Sequence, residues 1–148
     1  MGRALQLAER GRFTTKPNPL VGCVLVDGAA PTLAVHGEDV VPDYADDQLA
    51  FAVRRTPDGL DLGAVLSQLA QRGIGELQVE AGATLAGAFL KAGLVDELLL
   101  YIAPVLLGER GRPLFAGVDP ATMADRLGLK LVDTAHVGPD LRLTLHPA

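Results

Sequence analysis

The stretch that decides the fold runs from Asp61 to Ile102, DLGAVLSQLAQRGIGELQVEAGATLAGAFLKAGLVDELLLYI. Leu62, Val65, Leu66 and Leu69 recur at helical spacing on one face, which predicts a helix from Asp61 through Arg72. Asp61 is its N-cap, because a short carboxylate can accept from the free N–H groups of a first turn. Gly73 is its C-cap. Glu76–Glu80, ELQVE, predicts a short strand. Gly82-Ala83-Thr84 then turns the chain sharply into a second helix, Thr84 to Ala92, which Gly93 closes. Glu97–Ile102, ELLLYI, predicts another strand. Helix alternating with strand implies a parallel sheet with helices packed on it.

Outward from this centre the signals change. Pro104–Gly117 reads as a loop rich in Gly, Arg and Pro. Pro120–Leu127 predicts a short helix with proline in its first turn. Lys130–Val137 and Leu141–Leu145 predict two strands joined by Gly138-Pro139-Asp140, a linker short enough for a hairpin. Upstream, Leu49–Val53 predicts a strand, followed by Arg54-Arg55 and a turn at Pro57-Asp58-Gly59. Thr32–Val35 is a brief apolar stretch, and Gly37–Asp47, acidic and holding Pro42, reads mostly as loop. Leu20–Val26, LVGCVLV, predicts a strand buried on both faces, ended by a turn at Asp27-Gly28. Thr14–Pro19 is a loop, since Pro17 and Pro19 forbid regular pairing. Met1–Gly11 predicts a short helix. No internal repeat is present.

The chain has 148 residues, 49% of them hydrophobic and 21% charged, which fits one globular domain and excludes disorder. With aromatics at 4% and no Trp, the core must come from aliphatic side chains. Thirteen basic against 18 acidic residues give a net charge of −5, which weighs against a nucleic-acid partner. The single cysteine, Cys23, allows no intrachain disulfide and points to a reducing compartment, the cytoplasm. The N-terminal run is broken by Arg3, Glu9, Arg10 and Arg12, so no signal peptide is expected, and no stretch approaches a membrane span. Three histidines, His36, His136 and His146, with one cysteine offer no pair at metal-ligand spacing, and no metal site is expected.

Val79–Ala88, VEAGATLAGA, is the segment best suited to carry chemistry. It runs from a strand end through a glycine turn into a helix start, the junction where open α/β sheets bind ligands. N–H groups at a helix start are unpaired, and the helix dipole adds positive charge there. Gly82 permits close approach of a phosphate, Thr84 adds a hydroxyl, and Gly87 lets the helix sit tightly on the sheet. A purely structural turn has the same pattern. Glu80 is either a substrate acceptor in that crevice or a solvated strand-end carboxylate. Arg110 and Arg112, in LLGERGRPLFAG, are either a phosphate clamp or a solvated loop. Asp96-Glu97 reads as an exposed acid pair at a turn, while Cys23 and His136 read as structural. No nucleophile is paired with a base, and no catalytic residue is identified.

Two blocks carry a family resemblance. RALQLAERGRFTTKPNPLVGCVLVDG resembles the opening of the bifunctional riboflavin-biosynthesis deaminase/reductase. VEAGATLAGAFLKAGLVDELLLYIAPVLLG and HVGPDLRLTL resemble the C-terminal part of that family's reductase domain. The resemblance divides the chain into residues 1–28, a remnant of the deaminase start, and 29–148, the later reductase. It implies a dihydrofolate-reductase-like (Rossmann-like) α/β fold: a mostly parallel sheet, flanking helices and a C-terminal antiparallel hairpin. It also implies NADPH as cofactor, a phosphoribosylated pyrimidine as substrate, and a homo-oligomer, a dimer. By position, Glu80 matches a substrate-contacting glutamate. Gly82, Ala83, Thr84, Leu85, Ala86, Gly87 and Ala88 match the turn that holds the cofactor phosphates.

The departures are as informative. The family's deaminase needs an H-A-E and a P-C-x-x-C motif for zinc and for its general acid/base glutamate, and neither is present. Deamination is therefore not expected. The S-L-D-G-type segment of the early reductase half is missing too. The reading implied is reduction of the ribosyl side chain of 5-amino-6-(5-phosphoribosylamino)uracil to ribityl. Its competitor is a non-catalytic remnant that binds nucleotide or serves subunit assembly.

Overall fold

The computed structural model describes residues 33–40 and 49–148. The helix expected over Met1–Gly11, the Thr14–Pro19 loop, the Leu20–Val26 strand and the Asp27-Gly28 turn lie outside the described residues. The chain divides into two compact units, one ending at Glu80 and one running from Ala81 to Ala148.

In the first unit, alternation builds the core. β1 (Leu33–Gly37) and β2 (Leu49–Val53) pair in parallel, with Val35 opposite Phe51 and Gly37 opposite Val53. Side chains two apart share a face, so Val35, Phe51 and Val53 are buried together. β3 (Arg55–Thr56) and β4 (Gly59–Leu60) form a minimal antiparallel hairpin around Pro57-Asp58. Gly59 sits at φ 127°, a conformation that side chains with a Cβ rarely adopt. α1 (Leu62–Gln71) adds Val65 and Leu69, one helical turn apart, to the same core, with Ile74 and Leu77 at its margin. Asp61 caps α1 as expected, its Oδ1 accepting the Ala64 N–H at 2.9 Å. Arg72 closes the far end, its guanidinium 4.6 Å above the Phe51 ring.

The second unit holds α2 (Ala83–Lys91), β5 (Leu98–Ile102), a 3-10 turn (Met123–Asp125), β6 (Leu129–Val137) and β7 (Asp140–Pro147). The strands form an antiparallel sheet in the order β5-β7-β6. Leu98, Leu100 and Ile102 face Leu145, Leu143 and Leu141 across the ladder, so one face is aliphatic. The other face carries Arg142, Thr144 and His146. One ion pair crosses it, Arg142 to Asp133 at 3.0 Å, and His146 Nε2 lies 3.3 Å from Glu97 Oε2. Gly138, at φ 61°, makes the β6–β7 turn. A bulge interrupts β6 between Leu131 and Asp133.

Several expectations need correction. The sheet is not mostly parallel: among the described residues, parallel pairing is confined to β1 and β2. Residues 76–80 form no strand. Leu77 and Val79 still alternate with exposed Glu76, Gln78 and Glu80, but a strand exists only through a ladder, and no described strand pairs with them. The helix expected over Pro120–Leu127 is only a 3-10 turn, closed by a capping box in which Thr122 and Asp125 satisfy each other's backbone ends. Thr32–Val35, read as a brief apolar stretch, begins β1, which continues through Gly37.

Candidate functional site

The turn at Gly82 differs from the start of α1 in what it leaves free. Gly82 is the N-cap of α2, with φ −70° and ψ 166°, and has no side chain to accept from the first turn. Its carbonyl accepts the Ala86 N–H at 3.1 Å, which opens the helical ladder. The N–H groups of Ala83, Thr84 and Leu85 precede that ladder and point out of the helix start. Thr84 is exposed, and its hydroxyl has no partner among the described residues. A Cβ at Gly82 would meet nothing within 4 Å, and its φ is one any residue adopts. The chain's own packing therefore does not require glycine there, whereas a group approaching the N–H cluster closely would. These features fit an anionic diphosphate.

Gly87 has a different role from the one expected. A Cβ there would collide with the carbonyl oxygen of Ala116, and with the Ala116 carbonyl carbon and nitrogen at 3.0 and 3.1 Å. The Ala116 N–H donates to the Ala83 carbonyl at 2.9 Å. The glycine thus admits the backbone of the 103–119 loop against α2. Leu85, Ala86 and Ala88 are half-buried on the same helix. Arg110 and Arg112 are exposed on that loop, with no hydrogen-bond or ion-pair partner among the described residues. Glu80, the last residue of the first unit, is exposed, and its Oε1 accepts from Gln78 Nε2 at 2.8 Å.

Sequence reasoning missed a second feature. An open groove of about 310 Å³ lies beyond the carboxyl ends of β1 and β2. It is lined by Glu38, Val53, Arg54, Asp61, Ala64 and Gln68, among others. The Glu38 N–H donates to the Val53 carbonyl and the Asp61 N–H to the Arg54 carbonyl, which fixes its rim. Beside it Arg55 Nε reaches both Asp39 oxygens, at 2.7 and 2.9 Å. This hydrogen bond, with the guanidinium charge, holds the Asp39 carboxyl below its usual value. The charges at 38, 39, 54 and 55 were visible in sequence, but β1 was read only as a brief apolar stretch, which hid their convergence.

The riboflavin biosynthesis protein RibD of Bacillus amyloliquefaciens is 38% identical over 133 residues, covering 87% of this chain and 36% of that protein. RibD of Escherichia coli strain K12 is 49% identical over 86 residues, 58% of this chain and 23% of its own. A protein of Buchnera aphidicola named 5-amino-6-(5-phosphoribosylamino)uracil reductase is 35% identical over 88 residues, 60% of this chain and 42% of its own. The chain therefore spans less than half the length of these relatives. The structure of Acinetobacter baumannii RibD superposes with a TM-score of 0.62 at 37% identity, over 69% of this chain and 27% of that one. That likeness bears out the dihydrofolate-reductase-like α/β class, though not the sheet's expected parallel pairing. A family model described as the RibD C-terminal domain matches residues 7–143. With that match over most of its length, and with related sequence and fold, the chain belongs to the RibD C-terminal domain family.

Proposed function

We propose that this chain is the reductase of riboflavin biosynthesis that uses NADPH to reduce the ribosyl side chain of 5-amino-6-(5-phosphoribosylamino)uracil to ribityl. The observation that carries this is the open start of α2 at Gly82, in a chain related to a protein named for that reductase. The backbone of Gly82, Ala83, Thr84, Leu85, Ala86, Gly87 and Ala88 holds the cofactor phosphates: free N–H groups and the helix dipole bind them, and the Thr84 hydroxyl adds a donor. Glu80 accepts a hydrogen bond from a substrate hydroxyl or amine and orients it. The bound cofactor supplies the hydride; the protein's contribution is position. The chain works as a dimer in the cytoplasm, with residues 1–28 a remnant of the deaminase start and 29–148 the reductase part.

Substrate-dependent loss of NADPH absorbance is the expected result, and Glu80→Ala should raise the KM for the pyrimidine about tenfold while leaving the KM for NADPH unchanged. No turnover with both substrates saturating would refute the enzyme reading. The competing reading is a non-catalytic remnant that binds nucleotide, favoured by the lack of an S-L-D-G-type segment in this sequence. NADPH binding without turnover is its signature.

A further inference from the structure

We propose that Ala116 and Gly117 are positioning residues for the turn that opens α2, resting on the cofactor role proposed for that turn. Both lie in the second unit, as the turn does. The Ala116 N–H donates to the Ala83 carbonyl at 2.9 Å. That carbonyl and the Thr84 N–H belong to one planar peptide unit, so fixing the oxygen fixes the direction of the hydrogen. A donor on the carbonyl also polarises the amide and strengthens its N–H, by roughly 10–30%. The Thr84 N–H is one of the free donors at the start of α2, and Gly82 has no side chain to steady it. A capping side chain steadies a first turn by consuming its N–H groups, as Asp61 does when it accepts from Ala64 in α1. Ala116 steadies α2 from the carbonyl side and leaves the N–H groups open.

Two glycines hold Ala116 in that position. Gly87 leaves open the space that its backbone fills, with the Ala116 carbonyl carbon 3.0 Å and the nitrogen 3.1 Å from where a Cβ would stand. Gly117, next in the chain, has φ 74°, in the left-handed region. A Cβ there would meet nothing within 4 Å. Backbone conformation alone therefore calls for glycine at 117, where the chain turns away once Ala116 is seated. Gly117 is exposed, so a substitution there strains the seat from the loop side and leaves the sequence of α2 intact.

The test measures binding of NADPH and of 5-amino-6-(5-phosphoribosylamino)uracil separately, by calorimetry on the full chain well below its melting temperature. Wild type is compared with Gly117→Val, Gly117→Asn and Gly87→Ala, each shown to be folded by circular dichroism. Gly117→Ala takes the place of the valine variant if that chain does not fold. Valine resists the left-handed region, whereas asparagine enters it readily. Gly117→Val and Gly87→Ala should each weaken NADPH binding about tenfold, and Gly117→Asn should stay within about twofold of wild type. Affinity for the pyrimidine should not change. A merely structural seat lowers the melting temperature and leaves the affinity of the folded chain unaltered. Wild-type NADPH affinity in folded Gly117→Val and Gly87→Ala therefore overturns the positioning role and leaves the turn reading standing. A loss confined to the pyrimidine overturns it too. A wild-type chain that binds no NADPH overturns the turn reading, and the positioning role with it.

Discussion

Two buried glycines, Gly37 and Gly87, differ in what a methyl group would strike. At Gly37 a Cβ would meet the Asp39 carboxylate and the Nε and Cγ of Arg55, exposed side chains that can swing aside at the cost of their surface ion pair. At Gly87 it would meet the carbonyl of Ala116, which cannot move without its loop. Alanine improves helix propensity by about 1 kcal/mol, and overpacking costs about 1–3 kcal/mol or more. The steric cost wins at Gly87. Gly87→Ala is expected to lower the unfolding free energy by about 1–2 kcal/mol, read from urea melts, whereas Gly37→Ala should be nearly neutral. The Asp39 carboxyl gives a pH signature. Its pKa is lowered in the folded state, so the pair's contribution is complete above the ordinary carboxylate value of 3.8 and is lost as pH falls through the lowered one. Urea midpoints of wild type and Asp39→Asn should differ slightly at neutral pH and converge in acid. High salt should shrink the gap, because the pair is exposed.

Helices α1 and α2 start in opposite ways. Asp61 satisfies its own first turn, so Asp61→Ala should destabilise by about 1 kcal/mol, measurable by thermal denaturation. No such loss is available at Gly82, which has no side chain to remove. Both helices were legible in the sequence, because caps and apolar spacing are local signals: α1 ends within a residue of its expected limits, and α2 starts one residue early. The β6–β7 hairpin was legible for the same reason. What failed depends on distant partners. Val35 became strand because Phe51 lies beside it, and Leu77 and Val79 alternate without a ladder because none was available. The glycine turn was legible at Gly82, where the backbone is free. The purpose of Gly87 was not, since Ala116 is far away in sequence.

For the whole molecule, ligand linkage gives the broadest prediction. A cofactor that binds only the folded chain stabilises it by about 2.7 kcal/mol at a hundredfold excess over Kd. NADPH should therefore raise the melting temperature, and the rise should shrink in Gly87→Ala if displacement of Ala116 distorts the start of α2. Light scattering should report twice the mass of one chain if the dimer forms. The bulge in β6 bears on how such chains associate. Past Leu131 the strand shifts its pairing by one residue, so an incoming strand cannot run in step along that border. Leu98–Ile102, at the opposite border, is uncharged and uninterrupted, and among the described residues its outer side is unpaired. Among the described residues, the two borders of this sheet thus offer unequal templates: an added strand meets an even ladder along β5 and a broken one along β6.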